Sequence, residues 1–93
     1  MASRSAIQGL LGEVQDKGYL TALAILGDAS AAEDAVQEAN LRSLHNGDRY
    51  DAKAPFYPWF YRILKNHCLD LLRRRRPEAR DAEAVFGGLR SSE

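Results

Sequence analysis

Apolar residues recur at helical spacing from near the start of this chain, and nowhere do they alternate with polar ones over a strand's length. Ile7, Leu10, Leu11 and Val14 fall at i, i+3, i+4 and i+7, and Leu20, Leu23, Ala24, Ile25 and Leu26 follow with little interruption. The spacing predicts one helix kinked at Gly18, or two helices divided there, since a glycine weakens a helix interior. Gly27 suits the left-handed position that ends a helix. Ser30-Ala-Ala-Glu33 has the spacing of a capping box and predicts the start of a second helix. That helix should run to about His45, stop at Asn46-Gly47, and bury an arc of Ala32, Ala35, Val36, Ala39 and Leu44.

A polar loop rich in Gly, Asp, Lys and Pro follows, from Gly47 to Pro55. Next come five aromatics in six positions, Phe56 to Tyr61, and later four consecutive arginines, Arg73 to Arg76. Pro55 and Pro58 fit a helix start, where the first amides have no intrahelical acceptor. Pro77 ends the third helix. Drawn at 3.6 residues per turn, this helix has two sides. Phe56, Trp59, Phe60, Ile63, Leu64, His67 and Leu71 form an apolar arc, opposite Arg62, Lys65, Asn66, Leu69, Arg73 and Arg76. An apolar back and a basic, amide-bearing front suit a helix that holds a polyanion against a small core. Residues 78–93 offer a short helix to Phe86 and then a linker fraying at Gly87-Gly88.

The 93 residues make one domain near the lower size limit for unaided folding, and 45% apolar with 28% charged residues excludes a disordered chain. Zero net charge conceals an asymmetry. Residues 1–48 carry three Lys/Arg against seven Asp/Glu, net −4; residues 49–77 carry eight against two, net +6; residues 78–93 are net −2. An acidic half joined to a basic segment points to two partners of opposite character. A lone cysteine, Cys68, permits no internal disulfide and fits a reducing compartment. The N-terminus lacks the apolar run of a signal peptide, and no window approaches the roughly 20 apolar residues of a membrane span. A cytoplasmic protein without a membrane partner is expected.

Candidate chemistry is sparse. His45, His67 and Cys68 are too few and too poorly spaced for zinc, and no phosphate loop or serine-nucleophile motif is present. The expectation is a non-enzyme with no cofactor and no metal. The arginine run spans about 300° of helix, so its members cannot all face one ligand, and complementing the helix dipole accounts for part of it. The stripe Arg62–Lys65–Asn66–Arg73 holds register over three turns and is the more specific signal. Most of the aromatics are core material, whereas Tyr57 and Tyr61 lie at the arc's edge, where a ring packs and its hydroxyl stays wet. Those two are the candidates for stacking on bases. On the second helix Asp34, Gln37, Glu38, Leu41 and Arg42 face outward, leaving a leucine among charges. That is either an ordinary exposed leucine or the centre of a small interface.

Three segments in order, LGDASAAEDAVQEANLRSL (26–44), RYDAKAPFYPWFYRI (49–63) and LKNHCLDLLRRRR (64–76), carry a resemblance to region 2 of bacterial sigma factors, especially the extracytoplasmic-function (ECF) group. The family's usual forms are an LGD…AEDxxQE helix, an RFD…PF loop and a WLYRIxxN…DxxRRR helix. The resemblance implies an all-α bundle of three to four helices over residues 1–77, guiding RNA polymerase to a promoter. It implies that Asp34, Gln37, Glu38, Leu41 and Arg42 dock on the β′ clamp helices of the polymerase core. The QEAN sequence is similar to the QEGN of housekeeping sigma factors, which adds Asn40 to that face. The loop from about Asp48 to Pro55, with Arg49 and Lys53, resembles the lining of a pocket for a base flipped from single-stranded −10 promoter DNA. Asn66 stands where the family has its base-contacting asparagine, and Tyr57, Tyr61, Arg62, Lys65, Arg73 and Arg76 complete the expected DNA-binding set.

The chain departs from the ECF pattern at Ala39-Asn40, where Thr-Phe is usual, and at Leu44, in place of a tryptophan. Residues 78–93 cannot form the family's −35 reader, so either an excised domain or one working with another chain is expected. A second reading is a sigma-like module bound by an anti-sigma factor without engaging DNA. It leaves the basic stripe and Asn66 without a purpose. A general single-strand-binding helical domain leaves the acidic face unexplained.

Overall fold

The computed structural model describes residues 3–75, with the side chain of Arg75 excepted. Arg76, Pro77 and the expected tail helix lie outside the described residues. Three helices occur in chain order: α1 (Arg4–Leu26), α2 (Ala29–His45) and α3 (Phe56–Arg75), with a 3-10 turn at Gly47–Arg49 between the last two. Each helix packs on the other two. The architecture is the all-α bundle the apolar spacing predicts.

Local chemistry fixes the ends. Ser3 caps α1 by accepting from the Ala6 amide at 3.1 Å. Gly27 closes it at φ 71°, its amide donating to the Leu23 carbonyl at 2.8 Å. The capping box expected at Ser30 does not form. The Asp28 carboxylate accepts from the Ala31 amide at 2.7 Å, so α2 begins one residue before Ser30. Because α1 stops at Gly27, only Asp28 is left extended enough to cap, and Ser30 is already helical. At the far end the Asn46 amide and its side chain Nδ2 both donate to the Arg42 carbonyl, at 2.9 Å each.

Small residues let the helices approach. The inward face of α2 is Ala32, Ala35, Val36, Ala39 and Ser43, and that of α1 is Ile7, Leu11, Val14, Gly18, Ala22 and Leu26. Buried Ser43 satisfies its hydroxyl by donating to the Ala39 carbonyl one turn back, at 2.7 Å. α3 supplies the bulk, through Phe56, Phe60, Leu64 and Cys68. α1 runs as one helix through Gly18, so the chain is not divided there. A Cβ there would lie 3.0 Å from Phe60 Cε2, so the glycine marks a close approach of α1 to α3.

The loop into α3 belongs to the core. Tyr50 is buried, its ring 5.2 Å from those of Phe56 and Trp59. Its hydroxyl donates to the Ala54 carbonyl. The Ala54 amide donates to the Asp51 carbonyl at 2.8 Å, and the Lys53 amide to Asp51 Oδ1 at 3.0 Å, closing a tight turn. Trp59, expected in the core, is only half-buried against this loop.

Candidate docking and nucleic-acid faces

Burying the alanine stripe of α2 turns its other face outward. Asp34, Gln37, Leu41 and Arg42 are exposed and Glu38 is half-buried. Leu41 is 61% exposed. One helical turn along, Arg42 Nε donates to Glu38 Oε2 at 3.0 Å. Leu41, Glu38, Arg42, His45 and Asn46, with Arg4 of α1, line a shallow groove of about 400 Å³. Asn40 is placed differently. Its side chain exchanges two hydrogen bonds with Gln15 of α1, at 3.0 and 3.1 Å. It is a satisfied, half-buried amide where α1 meets α2.

His67 lies beneath this face, on the α2 side of α3. It is 9% exposed and its Nδ1 has no hydrogen-bond partner among the described residues. Burial first, and then the Arg42 guanidinium, push its pKa below the ordinary histidine value, with Arg74 acting the same way; Glu38 and Asp70 pull in the opposite direction. Burial pushes the Cys68 thiol up. These are the marks of core residues. Among the described residues no group of three or more His, Cys, Asp or Glu could hold a metal, and no helix is long and apolar enough to cross a membrane.

The outward face of α3 carries the other set. Arg62 and Asn66 are exposed one turn apart on one face; Lys65 and Arg73 are half-buried beside them. Arg74 pairs with Asp70 at 2.9 Å, so one member of the arginine run is tied to its own helix. Arg76 lies outside the described residues. Arg49 and Lys53 are exposed in the loop that leads into the helix.

The tyrosines occupy the edge of α3 that meets α1. Their rings are 5.9 Å apart. Tyr61 is 37% exposed. Tyr57 is half-buried, and its hydroxyl, expected to be wet, instead bonds Thr21 Oγ1 of α1 at 2.7 Å. Neither Tyr50 nor Cys68 stands on the apolar arc read from the sequence, and both are core. Tyr50 has a legible signal, an aromatic six residues before Phe56.

A three-helix domain with chemically opposed faces, one leucine-centred and acidic and one basic and tyrosine-edged, is thus the class this chain represents. The chain belongs to the sigma-70 region 2 family, whose model matches residues 13–78. It is similar, at 33% identity over 75 residues, to the ECF RNA polymerase sigma factor SigW of Bacillus subtilis (strain 168), covering 81% of this chain and 40% of that protein. It is also 35% identical over 65 residues to the ECF RNA polymerase sigma factor EcfG of Rhodopseudomonas palustris (strain TIE-1), covering 70% and 36%. The chain therefore spans two fifths or less of the length of these relatives.

Proposed function

We propose that this domain recruits RNA polymerase to promoters, docking through α2 and capturing the single-stranded −10 element with the loop and α3. In this reading Asp34, Gln37, Glu38, Leu41 and Arg42 meet the β′ clamp helices, while Asn40 supports that face through Gln15. Arg62, Lys65 and Arg73 hold phosphates, Asn66 reads a base, and Arg49 and Lys53 flank the entry to the base pocket. The observation that carries the reading is the segregation of faces on one rigid core. Leu41, exposed among charges on α2, and the exposed Arg62–Asn66 pair on α3 leave both surfaces open at once. A flipped base costs a few kcal/mol of unstacking, which its contacts with the loop and α3 offset in this reading. A module that only binds an anti-sigma factor leaves Arg62 and Asn66 without work, so DNA engagement is preferred.

The test separates the two faces. Glu38→Lys and Leu41→Ala should weaken binding to isolated clamp helices and leave single-strand affinity unchanged. Exposed substitutions of this kind move stability by under about 0.5 kcal/mol, so lost docking is separable from misfolding. Asn66→Ala should reduce discrimination between −10 and scrambled strands. Equal loss on both strands would remove its role as a reader, and no loss of docking in the α2 variants would remove the assignment of that face.

A further inference from the structure

His67 is a titratable group that neither face uses. It lies on the α2 side of α3, 9% exposed, within the field of Glu38 and Arg42 of the docking face. Its Nδ1 is closed off from solvent and has no hydrogen-bond partner among the described residues. A neutral ring can leave that nitrogen as an unused lone pair. A protonated ring carries an N–H donor on both nitrogens, and the one at Nδ1 would be buried without an acceptor. The acids that could answer the charge are engaged. Glu38 accepts from Arg42 Nε at 3.0 Å, and Asp70 pairs with Arg74 at 2.9 Å. Arg42 of α2 and Arg74 of α3 oppose a further cation at this place, while Glu38 of α2 and Asp70 of α3 favour it. Arg4 of α1 and His45 of α2 stand in the groove with Glu38, Leu41 and Arg42.

We infer that His67 makes docking on α2 proton-sensitive: the face seats its partner while the imidazole is neutral, and proton uptake by the ring releases it. This deepens, and rests on, the reading of α2 as the docking face. Two effects carry the sign. A partner seated over Leu41, Glu38 and Arg42 removes water from the groove, so the repulsion between an imidazolium and Arg42 is less screened and the charge costs more. A partner cation drawn to Glu38 would also cancel one of the two favourable fields on the ring. Both effects make the charged ring harder to form in the complex than in the free domain. Binding and protonation are linked reciprocally, so protonation weakens docking by the same factor by which docking disfavours the proton.

The experiment measures the affinity of the whole chain for isolated polymerase clamp helices from about pH 7.5 downward, over the range in which circular dichroism shows the chain folded. Affinity should fall by up to about tenfold per pH unit once the ring begins to charge, one proton being excluded from the complex. His67→Gln should flatten that fall. His45→Gln, which removes the exposed imidazole of the groove, should keep it. A fall in His67→Gln as steep as in the unaltered chain would overturn the proposal. Its disappearance in His45→Gln would do the same, by assigning the titration to the exposed ring. Should His67→Gln not fold, the imidazole titration followed by NMR in the unaltered chain decides. The His67 midpoint should move to lower pH when clamp helices are bound, and an unmoved midpoint would overturn the coupling. Binding with equal affinity at every pH would remove the switch and leave the docking face standing. If the unaltered chain binds no clamp helices at the starting pH, the reading of α2 fails first and the switch with it.

Discussion

The close approach of α1 to α3 at Gly18 sets two effects of one residue against each other. Gly18→Ala should raise helix stability by about 1 kcal/mol, because glycine is the poorer helix former by that amount. The same methyl would lie 3.0 Å from Phe60 Cε2 and 3.6 Å from Phe60 Cζ and Leu64 Cδ2, where ordinary contact begins near 3.4 Å. Phe60 has little room to retreat. It is fully buried, with the Phe56 ring at 6.1 Å and the Tyr57 ring at 6.4 Å. Overpacking of this sort costs about 1–3 kcal/mol. The expected net effect of Gly18→Ala runs from neutral to about 2 kcal/mol destabilising. Gly12→Ala, whose added carbon meets nothing within 4 Å, isolates the propensity gain and should stabilise by about 1 kcal/mol. Thermal unfolding should separate the two variants clearly, since about 1 kcal/mol moves Tm by about 4–8 °C in a domain of this size. In a Phe60→Leu background, where the ring edge is gone, the penalty at Gly18 should shrink, a coupling that a double-mutant cycle measures directly. If Gly18→Ala stabilises as much as Gly12→Ala, the seam is looser than described and the argument for Gly18 as a packing residue fails.

Two further outcomes follow from the caps and the buried imidazole. Asp28→Ala should cost about 1 kcal/mol in urea unfolding while Ser30→Ala changes little; the reverse order would place the start of α2 at Ser30. For His67, a folded-state pKa below the unfolded value of about 6.5 means that the unfolded chain takes up the proton first as pH falls. Stability should therefore decline as pH drops below about 6.5 and level off below the folded-state pKa. His67→Gln should flatten that decline, and an unchanged pH profile in this variant would overturn the part assigned to the buried imidazole.

The helix ends at Gly27 and Asn46, and most of the apolar arcs of α2 and α3, were legible because each depends on residues within a turn or two. The misreadings share one cause. Gly18 carries the same propensity penalty whether it breaks a helix or admits a ring, and only the position of Phe60 in another helix decides. Asp28 and Ser30 are both good caps, and the tight α1–α2 turn selects between them. Tyr57 stands at the arc's edge in projection, but Thr21, 36 residues away in sequence, takes its hydroxyl. The candidate site divides the same way. Exposed Leu41, Arg62 and Asn66 follow from periodicity within one helix. The engagement of Asn40 by Gln15 requires knowing which helices are neighbours.

The anchoring of Tyr50 changes what the loop before α3 is. Composition alone makes Gly47 to Pro55 a polar loop. With Tyr50 set between Phe56 and Trp59, and its hydroxyl tied to Ala54, the turn is fastened to the core at both ends. Ordering a backbone costs about 1–2 kcal/mol per residue in conformational entropy, and here folding has already met that cost. On the proposed reading, a base captured beside the loop and α3 meets a turn already ordered, so more of its contact energy survives as affinity. The loop's rigidity is thus inherited from the aromatic core. On the same reading, loosening that core at buried Tyr50 weakens binding through the order of the loop.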